Sequence, residues 1–177
     1  GQRPGPAPAP GATAPCTRAV QSLRKKLHTL AVNGRHRRAS FDITVSLPKG
    51  CKHYAVIFPR HVTTSEPKKA KAVDRFTAQV WGIYYHKVKV RYSHKVRSAK
   101  THKLVVVHST KTVLKPYNKL VATVTKLSNR NAAKGYHNTS GTLTKWAGKR
   151  FILRFTAARH GRAGTSFGLK WITLNRS

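Results

Sequence analysis

Asp42, Glu66 and Asp74 are the only acidic side chains among 177 residues, set against 36 Lys and Arg. A hydrolase of the paired-carboxylate kind needs two such groups facing each other, and a magnesium site needs at least one or two. These three are scattered. Asp42 falls on the outward side of an alternating strand pattern, Glu66 precedes Pro67 in a loop, and Asp74 adjoins Arg75. Each reads as a local ion-pair partner. Ten His and many Ser are present for Ser/His/Asp chemistry, but no nucleophile elbow marks a site. Several His also adjoin Lys or Arg, where nearby positive charge disfavours their protonated form. The chain is therefore read as a non-enzyme, with no catalytic residues and no cofactor.

Cys16 and Cys51 are the only cysteines. No CxxC or Cys/His spacing fits zinc, so no metal site is expected. The two could join as a disulfide if the chain passes through an oxidising compartment; two separate buried thiols is the favoured reading.

What remains is charge. The net formal charge is +33 at pH 7, which leaves almost no internal salt bridging and strong self-repulsion in a compact state. Only Arg3 precedes Arg18, so the cations run through the fold and do not form a basic tail. In YYHKVKVRY (84–92), Tyr84, His86, Val88, Val90 and Tyr92 alternate with Tyr85, Lys87, Lys89 and Arg91. That is the pattern of a strand with one face inward and a row of cations outside. Further clusters occur at Arg35, Arg37 and Arg38, at Lys68, Lys69 and Lys71, from Arg97 to Lys103, and at Arg159 and Arg162. One such cluster in an ordinary protein is a solvated loop; here the same sign recurs everywhere. Lys and Arg contacts to phosphates give sequence-independent affinity through counterion release. RHGRAG (159–164) could also offer backbone amides to a phosphate, or be a plain turn. Exposed aromatics would add base stacking, and Tyr85, on the face of Lys87 and Lys89, is the best placed. No RRM or KH signature is present, so backbone and shape recognition is expected in place of base reading. Asn138-Thr139-Ser140 and Asn175-Arg176-Ser177 match the glycosylation sequon, which matters only for a secreted chain.

The elements that must position these residues are mostly strands. Residues 1–16 form a Pro/Ala-rich arm, expected to be extended; residues 17–177 read as one basic domain. Thr17 to Val32 places Val20, Leu23, Leu27 and Leu30 at helical spacing, with Thr17 as N-cap and Asn33-Gly34 as stop, and so predicts an amphipathic helix. Beyond it, strand patterns fall at 40–47, 53–59, 75–92, 102–114, 118–127, 141–146, 150–157 and 166–174. Turns are expected at Pro48-Lys49-Gly50, Lys115-Pro116-Tyr117-Asn118 and Ala147-Gly148-Lys149. The expected fold is mainly β: an antiparallel β-sandwich or barrel of about seven to nine strands behind one N-terminal helix. No run of about 18 apolar residues could span a membrane. Gly1 and the absence of Met point to a trimmed initiator or a cleaved precursor.

The expected function is structural. The chain would coat or pack nucleic acid, RNA ahead of DNA, through its phosphates, as one of many copies or subunits in a large assembly of the capsid or nucleoprotein-shell type. It would then reside in a virion or an intracellular ribonucleoprotein particle. A ribosomal or organellar ribosomal protein is the alternative. From another class, a secreted cationic protein binding acidic polysaccharide or a membrane surface would gain support from a Cys16–Cys51 disulfide.

Overall fold

The computed structural model describes residues 16–177; the expected arm falls outside this range up to residue 15. Among the described residues there are ten strands: β1 (Ala19–Arg24), β2 (His28–Val32), β3 (Arg38–Ser46), β4 (Tyr54–Thr64), β5 (Arg75–Arg97), β6 (Leu104–Ser128), β7 (His137–Thr142), β8 (Arg150–Ala158), β9 (Thr165–Leu169) and β10 (Ile172–Arg176). Two single-turn 3-10 helices, Asn129–Asn131 and Thr144–Trp146, complete the order. The mainly β, antiparallel expectation is met.

The helix expected over 17–32 is not formed; β1 and β2 stand in its place. Residues 28–32 alternate in burial, with Leu30 and Val32 inside, while Val20 and Leu27, assigned to the apolar face of a helix, are 69% and 56% exposed. Backbone pairing decides the matter. Val20 stands opposite Asn175 and Leu30 opposite Phe167, partners almost at the other end of the chain that local spacing cannot report. Asn33 does not end a helix. Its Oδ1 accepts from the Arg35 and His36 amides at 2.8 and 3.0 Å, closing the turn into β3.

The chain divides into two compact units, one built from residues up to Gly82 and from Leu120 onward, the other from Ile83–Lys119. In the first, β4 organises a sheet in the order β1-β10-β4-β9-β2. One edge of β4 pairs with β10 through Tyr54–Ile57 and with β9 through Arg60–Thr64, while β7 takes the other edge. β9 and β10 are thus one line interrupted at Lys170-Trp171, and β1 and β2 a second line interrupted at 25–27. The other sheet runs β3-β8-β5-β6. Side chains from both sheets share one apolar core. Phe58 of β4 meets Phe76 of β5 and Phe155 of β8 at centroid separations of 6.1 and 5.7 Å, and Phe167 of β9 meets Phe76 at 5.5 Å. All four rings are fully buried.

Cys16 and Cys51 form a disulfide, which overturns the two-thiol reading. Buried Tyr54 arranges the Cys51 loop: its hydroxyl donates to Pro48 O at 2.5 Å and accepts from Cys51 N at 3.1 Å.

The second unit is a two-stranded ribbon made by the distal parts of β5 and β6. The turn expected at 115–118 does not exist. β6 runs through it as a single strand of 25 residues, since an unpaired ribbon edge tolerates Pro116, which has no N–H to offer. The chain reverses instead at 98–103, where Ser98 N donates to Lys103 O at 2.9 Å and His102 takes a positive φ of 56°. Among the described residues no helix is long and apolar enough to cross a membrane.

Candidate polyanion interface

On the ribbon, the Ser98–Lys103 turn bond, a 2.9 Å contact between Ser93 Oγ and His108 Nδ1, and a Tyr84–Tyr117 stack at 5.6 Å fall in one register. Alternation along β5 then places Lys87, Lys89 and Arg91 on one face, with Tyr85 before them and Lys95 and Arg97 after. All six are exposed, Tyr85 by 60%. The row expected at 85–91 is therefore longer, with cations about 6.8 Å apart except across Ser93, where the gap from Arg91 to Lys95 is about 14 Å. Arg97 is partly committed, donating to His102 O at 2.6 Å.

The opposite face differs from expectation. Val88 and Val90 are half-buried, but Tyr84, His86 and Tyr92 are exposed, because side chains on a two-stranded ribbon meet only their cross-strand neighbours. Tyr84 and His86 rest on Tyr117, and the Lys111 ammonium sits 5.3 Å over Tyr92.

In the first unit, three cation clusters far apart in sequence converge. Arg38 opposite Ala158 brings the β2–β3 turn beside the β8–β9 loop, and Arg159 N donates to Arg37 O at 2.8 Å. The Lys68–Lys71 segment closes against the same loop, forming a cleft of about 630 Å³ lined by Lys71 and Arg162 among others. Arg35, Arg37, Arg38, Lys68, Lys69, Lys71 and Arg162 are exposed, and Arg159 is half-buried. Arg130, which sequence reasoning missed, joins them by donating to Ala70 O at 3.5 Å. Only long-range folding places it there.

This crown of cations is built on two buried carboxylates. Asp74, fully buried, accepts from His160 N (3.0 Å) and Gly161 N (2.9 Å) through Oδ1 and from the Thr165 hydroxyl (2.6 Å) through Oδ2. Burial pushes its carboxyl up, but the Thr165 hydroxyl and the Gly161 and His160 amides outweigh that and hold it below the ordinary carboxylate value. Glu66, 7% exposed, accepts from Ala163 N at 2.7 Å. A Cβ at Gly161 would collide with the Glu66 carboxylate, so a larger residue there would displace it from Ala163 N.

Two expectations are corrected by this. Asp74 and Glu66 are not partners of neighbouring surface cations; they clamp a loop some 90 positions away. Three of the RHGRAG amides, those of His160, Gly161 and Ala163, are taken by the chain's own carboxylates, and the Arg159 guanidinium by the carbonyls of Gly161 (2.8 Å) and Arg162 (3.1 Å). Arg159 therefore shapes the loop, and a ligand would meet its neighbours' side chains. Asp42 does form an ion pair, a two-pronged one with Arg154 across the strands at 2.8 and 3.0 Å. It is the only ion pair among the described residues.

At the start of β2, burial and then Arg24 lower the pKa of His28, whose ring lies tilted against that of Phe41 with centroids 4.1 Å apart. Of the two sequons, Asn175 lies half-buried within β10 with its Oδ1 unpartnered. Asn138 is exposed on β7, but the following Thr139 is buried and receives Arg60 Nη1 at 2.6 Å. Among the described residues no group of three or more His, Cys, Asp or Glu could hold a metal ion. No protein-family model matches the chain, and no curated protein matches it either.

Proposed function

We propose that this chain is a β-sandwich polyanion-binding protein that packs or coats nucleic acid through phosphate contacts, as a subunit of a larger assembly. The observation that carries the proposal is where the three carboxylates go. One neutralises Arg154, and two are buried under the crown on backbone amides and a hydroxyl. No acidic side chain remains to neutralise the exposed cations, so the counter-charge comes from outside. Arg35, Arg37, Arg38, Lys68, Lys69, Lys71, Arg130 and Arg162 form one contact surface; Lys87, Lys89, Arg91 and Lys95 form another. The second runs along one strand face, suited to following a chain of phosphates. Exposed Tyr84, Tyr92, Leu114 and Tyr117 on the ribbon support further contacts with subunits.

A second reading is favoured by the Cys16–Cys51 disulfide, which belongs with oxidising compartments. There the same surfaces would meet acidic polysaccharide.

The test is competition. A labelled oligonucleotide bound to the protein is challenged with unlabelled duplex DNA, single-stranded RNA and a sulfated polysaccharide, and material from the native source is assayed for nuclease-sensitive nucleic acid. Nucleic acid that co-purifies and is displaced poorly by polysaccharide supports the proposal. A nucleic-acid-free protein with tighter polysaccharide binding overturns it in favour of the second reading.

A further inference from the structure

Trp171 combines two features that core residues lack. It is 57% exposed, and its φ is +49°, a left-handed conformation costly for a bulky residue. Such strain persists only where surrounding structure enforces it, and it concentrates at functional positions. The enforcement is visible. Lys170 N donates to Pro59 O at 3.3 Å, and the strand line stays paired on both sides of the break, His28 with Leu169 and Arg24 with Ile172. The chain between those pairs is extruded as Lys170-Trp171, opposite a matching interruption at Lys25-Lys26-Leu27. One face of the ring is also covered. The Lys170 ammonium lies 4.4 Å from the Trp171 centroid and 3.7 Å from that of Tyr136, itself 40% exposed. With one ring face against Lys170, the exposure of Trp171 belongs to the rest of the ring.

We infer that Trp171 is a stacking platform for an unpaired base, with exposed Lys25 and Lys26 and the half-buried Lys170 placed for the flanking phosphates, so that the chain prefers single-stranded nucleic acid. An open indole among cations, with no acidic side chain beside it, is the combination that single-strand sites use. A base paired inside a duplex cannot reach it. The inference rests on the phosphate-backbone reading above and adds to it the form of the nucleic acid.

The test compares the wild type with Trp171→Gly and Trp171→Tyr. Glycine at positive φ relieves the strain, so the first variant keeps the fold, with a Tm at or above the wild type's. The probes are an oligouridylate of about 15 nucleotides, a duplex of the same length and a heparin oligosaccharide. In the wild type, oligouridylate quenches tryptophan emission. In Trp171→Gly that quenching disappears and oligouridylate affinity falls about 5- to 100-fold, the loss of one base–aromatic stack. Duplex affinity is unchanged, and Trp171→Tyr falls between. Unchanged oligouridylate affinity in Trp171→Gly overturns the inference, as does a loss confined to heparin, which would make the ring a sugar platform. A folded wild type that binds neither nucleic acid refutes the phosphate-backbone reading as well; tight binding of both, indifferent to Trp171, refutes stacking alone.

Discussion

Replacing Asp74 by Asn keeps the shape of the side chain and removes the charge that holds the crown together. Three hydrogen bonds are affected, from the amides of His160 and Gly161 and the hydroxyl of Thr165. A hydrogen bond to a charged group contributes about 1.5–3 kcal/mol, and a neutral one about 0.5–1.5 kcal/mol. The amide oxygen can still accept both N–H groups, but the new NH2 cannot accept from Thr165. Losing about 1 kcal/mol at each bond predicts a destabilisation of about 3 kcal/mol. For a chain of this size that lowers Tm by about 6–12 °C. Opposing it is relief from burying a charge, which can make removal of an ionic group neutral or favourable. The direction of the shift therefore decides between the two effects. Thermal unfolding by circular dichroism gives the magnitude, and amide exchange at His160 and Gly161 locates it, with protection expected to drop at both. An Asp74→Asn protein that melts within about 1 °C of the wild type, with both amides still protected, would refute the claim that this carboxylate clamps the loop.

Breaking the disulfide by Cys51→Ser frees a loop whose ends are 35 positions apart. By the loop-entropy relation this costs about 3–4 kcal/mol, seen as a lower denaturant midpoint; an unchanged midpoint would mean that the bridge constrains nothing. The pKa of His28 is depressed on folding, so the unfolded state takes up protons first. Stability is then full above the ordinary imidazole value and declines as pH falls below it. Asp74, also depressed, adds a second decline below the ordinary carboxylate range. His28→Phe should flatten the first decline in a Tm-versus-pH series and leave the second in place.

What the sequence made legible was whatever depended on neighbours two positions apart. The alternation of Phe41, Ile43, Val45 and Leu47 identified β3, and Gly50 and Gly148, with φ of 114° and 74°, occupy expected turns. Lys87, Lys89 and Arg91 share an exposed face for the same reason. Features set by distant partners were hidden. Val20 and Leu30 carry helical spacing, yet their conformation follows from β10 and β9, encoded at the other end of the chain. The strand pattern at 166–174 gave no sign that Trp171 would be extruded from its middle. Asp74 sits next to Arg75 in sequence, but its partners are at 160, 161 and 165. In so basic a chain, two carboxylates were more useful for gathering cation-bearing loops than for cancelling surface charge.

The most direct measurement is the salt dependence of oligonucleotide affinity for the wild type and for a Lys68→Glu/Lys69→Glu/Lys71→Glu variant. A phosphate-contacting crown predicts that log affinity falls linearly with log salt, at about −0.7 to −0.9 per phosphate contacted. The variant should show a slope shallower by about 2–3 for every sequence tested. A wild-type slope near zero, or a variant with the wild-type slope, would contradict the account.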